Sequence, residues 1–180
     1  MVPDHDLPIH PIGAELNPVE DKWMLTFQRI VRNPIDAVWA AITDAEQTRR
    51  WAPFAPSRDL DAVGPLELTM LDGATETDSI LASRVTDCAP PNLLVLFWGE
   101  DELRFTLEPD GPDTHLTFTH TFAARSEAPS YAAGWHLCLA ALIGTVQGLE
   151  LPPVVGSAAL EHGWQELSDQ YGLSFARPAP

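Results

Sequence analysis

The segment NPIDAVWAAITDAEQTRRW, residues 33–51, constrains the fold of this chain more than any other stretch. Asn33 is a good N-cap, and Pro34 suits the first helical position, where its missing N–H costs no hydrogen bond. Ile35, Val38, Trp39 and Ile42 recur at helical spacing and make one apolar stripe. Thr43 followed by Glu46 has the form of a capping box, so the pattern predicts a second short helix restarting at that point. A strand-like run, KWMLTFQRIVR at 22–32, stands directly before the pair. A strand that leads into two short helices joined at a tight corner is a recognisable opening, and few architectures share it.

The chain then turns to a period of two. Short strands are expected at 65–71, 76–87, 93–98, 102–108 and 114–123, separated by Asp72–Gly73, Ala89-Pro90-Pro91-Asn92, Gly99-Glu100-Asp101 and Pro109-Asp110-Gly111-Pro112. Leu66, Leu68 and Met70 share one face of the first of these strands. Leu103, Phe105 and Leu107 point inward from another, and Leu116, Phe118, His120 and Phe122 share one face of the last. Hairpin turns imply antiparallel pairing, because parallel strands need long crossovers. Beyond residue 127 the period changes to 3.6. Tyr131, Trp135, Cys138, Leu142, Val146 and Leu149 form one stripe of a long helix over about 128–148, with Gly148 near its end. A further helix is expected over 157–171, where Leu160, Trp164, Leu167 and Tyr171 recur at helical spacing. Packing the greasy face of the sheet on the greasy stripe of the long helix buries both.

This order resembles the START-like helix-grip superfamily, also called SRPBCC. Within it, the chain is most similar to the family of homologues of the activator of a heat-shock chaperone ATPase. The resemblance rests on the strand at 22–32, on PIDAVWAAITDAEQTRRW, on VTDCAPPNLLVLFW ending in Trp98, and on Gly134–Trp135 in the long helix. It implies an α+β fold in which a curved antiparallel sheet wraps around a long C-terminal helix, with a cavity between them. It places the helix-grip domain at 22–150; the proline-rich, weakly periodic residues 1–21 are expected to be an N-terminal arm, and the C-terminal extension at 151–180 departs from the family pattern and is expected to cover the cavity mouth or make a subunit contact. Members include binders of hydrophobic ligands, relatives of polyketide cyclases and aromatases, and chaperone regulators. No catalytic signature runs through the family, so the resemblance assigns no active-site positions.

Composition narrows the function. The chain carries 26 acidic against 10 basic residues, a net charge of −16, and Lys22 is its one lysine. Such a surface repels phosphate backbones and anionic lipid, so neither nucleic acid nor membrane is expected as a partner. The start, MVPDHDLPIHPIG, lacks the basic and apolar regions of a signal peptide, and a cytoplasmic protein is expected. DHDLPIH has metal-like residue types but no scaffold to hold them. The chain has no GxSxG elbow, phosphate-cradling loop, HExxH or dinucleotide fingerprint, and no cofactor or metal is expected. Cys88 and Cys138 read as small apolar residues.

His120 is the most informative single side chain. Its alternation places it inside, where an imidazole can bind a ligand oxygen, act as acid or base, or be tied to a core neighbour. Arg84 either anchors a carboxylate from inside or lies on the surface, and Glu100-Asp101-Glu102 reads as a solvated hairpin tip. Trp98 and Trp51 either line a cavity or pack. The expected function is binding of a small hydrophobic or aromatic molecule between sheet and long helix, with Trp98, Phe105, Phe118, His120, Trp135 and Leu142 as candidate lining residues. Two alternatives remain: a cyclase-, aromatase- or hydrolase-type enzyme in the same cavity, and a module that docks on a chaperone or regulator. Pairing of two copies through a sheet edge or the terminal helix is a further expectation.

Overall fold

A single eight-stranded sheet carries the fold. In the computed structural model, which describes residues 14–177, its strands are β1 (Ala14–Val19), β2 (Lys22–Val31), β3 (Phe54–Pro56), β4 (Gly64–Asp72), β5 (Thr75–Ala89), β6 (Leu93–Trp98), β7 (Asp101–Asp110) and β8 (Asp113–Phe122). All are antiparallel, in the order β1-β2-β8-β7-β6-β5-β4-β3. From β3 onward the chain meanders back, one hairpin at a time, until β8 closes on β2. The helix pair spans the one long crossing, from β2 to the far edge at β3.

That pair is α1 (Ile35–Thr43) and α2 (Ala45–Thr48). Both forecast caps lie one residue from where the chain puts them. Pro34 stands at the cap of α1 with no side-chain bond, and the buried side-chain oxygen of Asn33 finds no partner among the described residues. Asn33 lies in the bend after β2 instead: its N–H bonds the Val31 carbonyl and its carbonyl accepts from Thr114 Oγ1 on β8. At the corner, Asp44 caps α2 by accepting from the Gln47 N–H at 3.0 Å, while Thr43 bonds back to the Trp39 carbonyl. Aspartate is the stronger cap because its charge also meets the positive helix end. Trp51 is packing: its indole N–H donates to the Ala41 carbonyl at 2.9 Å, and its ring meets Phe105 edge-on.

Two other expectations on the sheet need correction. Residues 14–19 are not merely an arm, because Ala14 pairs with Phe27 through to Val19 with Lys22, adding an edge strand. A bulge between Thr69 and Leu71 breaks the alternation of β4, and Leu71 rather than Met70 is buried beside Leu66 and Leu68. The segment DHDLPIH lies outside the described residues.

After a 3₁₀ turn at Arg125–Glu127 comes the long helix α3 (Ala128–Val146). It ends in a Schellman turn: Gly148 is left-handed, its N–H bonds Thr145 and the Leu149 N–H bonds Gly144. The rest of the chain is not one helix but two, α4 (Ser157–Glu161) and α5 (Trp164–Ala176), broken where Gly163 adopts φ +83°. The break leaves Leu160 61% exposed, off the stripe that Leu167 and Tyr171 share. Because α5 lies along α3, the long helix buries far more than one stripe, His136, Leu137 and Leu139 included. No described helix is long and apolar enough to cross a membrane.

Candidate functional site

His120 and the pocket are neighbours, separated by two tryptophans. β8 carries His120 inward, fully buried, against β7 on one side and α3 above. Both ring nitrogens are occupied. The Trp135 indole N–H, two turns into α3, donates to Nδ1 at 2.9 Å. An indole can only donate, so Nδ1 is the acceptor and Nε2 holds the proton. Nε2 then donates to Asp101 Oδ2 at 2.8 Å. Asp101 opens β7, and its side chain is 22% exposed, enough to keep one carboxylate edge in water. Trp98, Phe122, Tyr131 and Trp135 surround the imidazole, with ring centroids 4.5–6.0 Å away. The result is a satisfied polar island in an aromatic core. The sequence placed His120 inside. It missed Asp101, nineteen positions earlier, because the acidic run looks like a wet hairpin tip until the hairpin folds back on β8.

The pocket lies on the other side of Trp98 and Trp135. It measures about 350 Å³. Its floor is the outer turn of α3, from Ser130 and Tyr131 through Gly134 and Trp135 to Cys138, and Trp98 at the end of β6 and Pro53 before β3 make one wall. The opposite wall is Val154, Val155, Gly156, Ala159, Leu160 and Trp164, all from the stretch after α3. None of the lining residues carries a charged side chain. Tyr131 supplies a hydroxyl that burial, then the nearby carboxylates of Asp101 and Glu127, push up to about 12, so it stays protonated, and it donates to Glu127 Oε2 at 3.4 Å. Burial likewise pushes the Cys138 thiol up to about 12, so behind the closed wall it stays protonated and unreactive.

Of the six residues expected to line a cavity, Trp98 and Trp135 line this pocket. Phe105, Phe118, His120 and Leu142 do not. They are packed solid: Phe118 lies 4.8 Å from Phe105 and 4.6 Å from Trp135, centroid to centroid, and Leu142 is fully buried. The inner face of β7 and β8 is therefore filled by its own side chains, and the open space is displaced toward β6 and β3. The His120 ring has no nitrogen to offer a ligand. Arg84 lies on the outer face, its guanidinium 4.2 Å above the Phe97 ring.

The comparisons with known proteins agree with this architecture. The family model for Activator of Hsp90 ATPase homolog 1-like protein matches residues 32–147, more than half of the chain. The chain belongs to this family. It is thus a helix-grip protein of the SRPBCC superfamily, with the sheet curled about α3. A conserved protein of unknown function from Enterococcus faecalis, EF2215, superposes with a TM-score of 0.71 at 15% identity, over 96% of this chain and 97% of that one. CalU16 from Micromonospora echinospora superposes with a TM-score of 0.63 at 19% identity, over 89% and 93%. DynU16, a protein in the dynemicin biosynthetic locus, gives a TM-score of 0.60 at 21% identity, over 73% of this chain and 49% of its own. No curated protein matches the sequence. The family match ends at Gln147, so six of the pocket's lining residues lie beyond it.

Proposed function

We propose that this protein binds a small, uncharged, aromatic or otherwise apolar molecule in the pocket between Trp98, α3 and the segment after α3. The observation that carries this reading is the pocket itself, about 350 Å³ with Trp98, Tyr131, Trp135 and Trp164 among its lining and no charged side chain. Its volume is at the small end of the roughly 300–1,000 Å³ usual for ligand sites, which suits one or two fused rings. Stacking on tryptophan favours a flat molecule. An anionic ligand would find no counter-ion in the wall and a net charge of −16 around it. The occurrence of one fold relative in a biosynthetic locus suits a small-molecule ligand.

The test is a fluorescence titration with a neutral naphthyl dye, N-phenyl-1-naphthylamine, backed by native mass spectrometry. Binding with quenching of tryptophan emission is expected, and Trp98→Ala should weaken it about tenfold, the loss of roughly 1.4 kcal/mol of stacking and burial. Dye binding that ignores Trp98→Ala, or no binding of any apolar probe, overturns the reading. An acid–base role for His120 gains nothing from the geometry, because its two nitrogens are spent on Trp135 and Asp101.

A further inference from the structure

We infer that residues 149–164 form a latched strap that decides which molecules enter the pocket, with Asp72 as its latch and Leu160 and Trp164 as its selecting side chains. This rests on the ligand-binding reading above. The strap is the part of the pocket wall that lies outside the family match at 32–147. It begins at the Schellman turn of Gly148 and ends at Gly163, both left-handed, and 149–155 contain no helix or strand. A segment without its own ladder of hydrogen bonds is held by what it touches.

Its Val155 and Ala159 are buried in the core, and its polar contacts are made to the β4–β5 turn. Asp72 Oδ1 accepts from the Ser157 N–H at 2.7 Å and from Ser157 Oγ at 2.6 Å, and the Gly73 N–H donates to the Val155 carbonyl at 3.0 Å. Gly156 sits between these bonds at φ +59°, so close that a Cβ there would stand 2.4 Å from Asp72 Oδ1 and 3.0 Å from Asp72 Cα. The glycine is the notch into which the latch fits. Both latch bonds are exposed to solvent, so each is made against competition from water and is worth little net. The far end is different. There α5 is anchored by the buried Tyr171 hydroxyl, 2.9 Å from His136 Nδ1. An element with one firm end and one weak end opens at the weak end. Leu160, exposed at the pocket rim, and Trp164, at the hinge, are then the side chains that a ligand passes and meets.

Cys138 on the pocket floor gives a readout that needs no ligand. In a Cys88→Ser background it is the chain's single thiol, and it is 2% exposed. Its labelling by 4,4′-dithiodipyridine, an uncharged reagent, follows the open state of the strap. Asp72→Ala should speed labelling about tenfold and Ser157→Ala several-fold, and the double variant should match Asp72→Ala, because both remove the same latch. The unfolding midpoint in urea should hardly move. With N-phenyl-1-naphthylamine bound, Asp72→Ala should speed dye release by a similar factor, and Trp164→Ala should weaken this dye about tenfold while leaving a straight-chain alcohol within about twofold. Labelling and release that ignore both latch substitutions overturn the strap. Latch-dependent labelling with no probe bound keeps the strap and discards the ligand reading.

Discussion

Trp135 has two unlike sides. On one, its indole N–H is spent on His120, Phe118 packs against the ring, and no space remains. On the other, the ring faces a pocket whose far wall buries Val155 and Ala159 but is latched by exposed hydrogen bonds to Asp72. His120, Phe118 and Asp101 on the first side lie within the family match, and the second side is completed by residues beyond it. The contrast teaches where variation can be tolerated. A buried polar network must be satisfied in full or it is costly, so it resists change. A wall held at the surface can be altered for little stability, which frees it to follow the ligand.

The sharpest way to break this comparison is on the packed side. His120→Ala removes a fully buried ring and strands both the Trp135 indole and the Asp101 carboxylate. A loss of about 3 kcal/mol is expected from the cavity and the unmade bonds together, read from equilibrium urea unfolding. A loss under about 1 kcal/mol, within the range of ordinary surface changes, would mean that the network does not hold the core. The indole N–H resonance of Trp135, assigned by its loss in Trp135→Phe, should move upfield in His120→Ala as its hydrogen bond disappears.

Gly156→Ala comes next and tests the boundary between the two sides. A side chain at φ +59° and ψ −132°, a conformation left almost entirely to glycine, is strained by about 1–3 kcal/mol, and its Cβ would collide with Asp72. The strap has an easier escape than the core, so most of this cost should appear as release of the latch rather than as global unfolding. Hydrogen exchange over 149–162 should rise while that of β7 and β8 stays as in the unaltered protein. Uniform acceleration of exchange would show that strap and core unfold as one unit.

Leu160→Ala is smaller again. With 61% of its surface already in water, the side chain contributes little to folding, and a change within about 0.5 kcal/mol is expected in urea. Apolar dye affinity should nonetheless fall several-fold, because the same methyl groups line the pocket rim. A stability loss without an affinity loss would make Leu160 a structural residue and blur the division argued above.

How much of this was legible beforehand follows the range of the forces involved. The alternation in β7 and β8 and the stripe of α3 are local patterns, and they placed Phe105, Phe118, His120, Trp135 and Leu142 inside with the right elements around them. Whether an inward side chain fills space or borders it depends on its opposite neighbours. Phe105 and Phe118 face each other across adjacent strands and fill the space that a cavity would need. The caps at Asn33 and Thr43 each slipped by one residue because the backbone of Asn33 is tied to Val31 and Thr114 in the bend after β2, and Asp44 outcompetes Thr43. The break of the last helix had a visible signal, Gly163 within 157–171, which the apolar spacing concealed. Asp72 had none. Its role depends on Ser157, 85 positions away, and no periodicity in either segment reports on the other.

Acid offers the finest test of the comparison. Bonds from Ser157, first its hydroxyl and then its N–H, hold the Asp72 carboxyl below the usual 3.8. With the folded value below the unfolded one, the unfolded chain takes up the proton first as pH falls. The latch's contribution is therefore fully present above 3.8 and is lost as pH drops through the folded value. At neutral pH the strap is latched, and thermal opening or ligand, not protonation, must release it. The Ser157 amide resonance follows this titration directly, since its N–H points at the carboxylate that changes charge. Its midpoint should fall below 3.8, and in Ser157→Ala the Asp72 carboxyl resonance should titrate closer to that value. A Ser157 amide midpoint above 3.8 would mean that the carboxylate gains nothing from the strap, and the wall would then be held by the Gly73–Val155 bond and by packing alone.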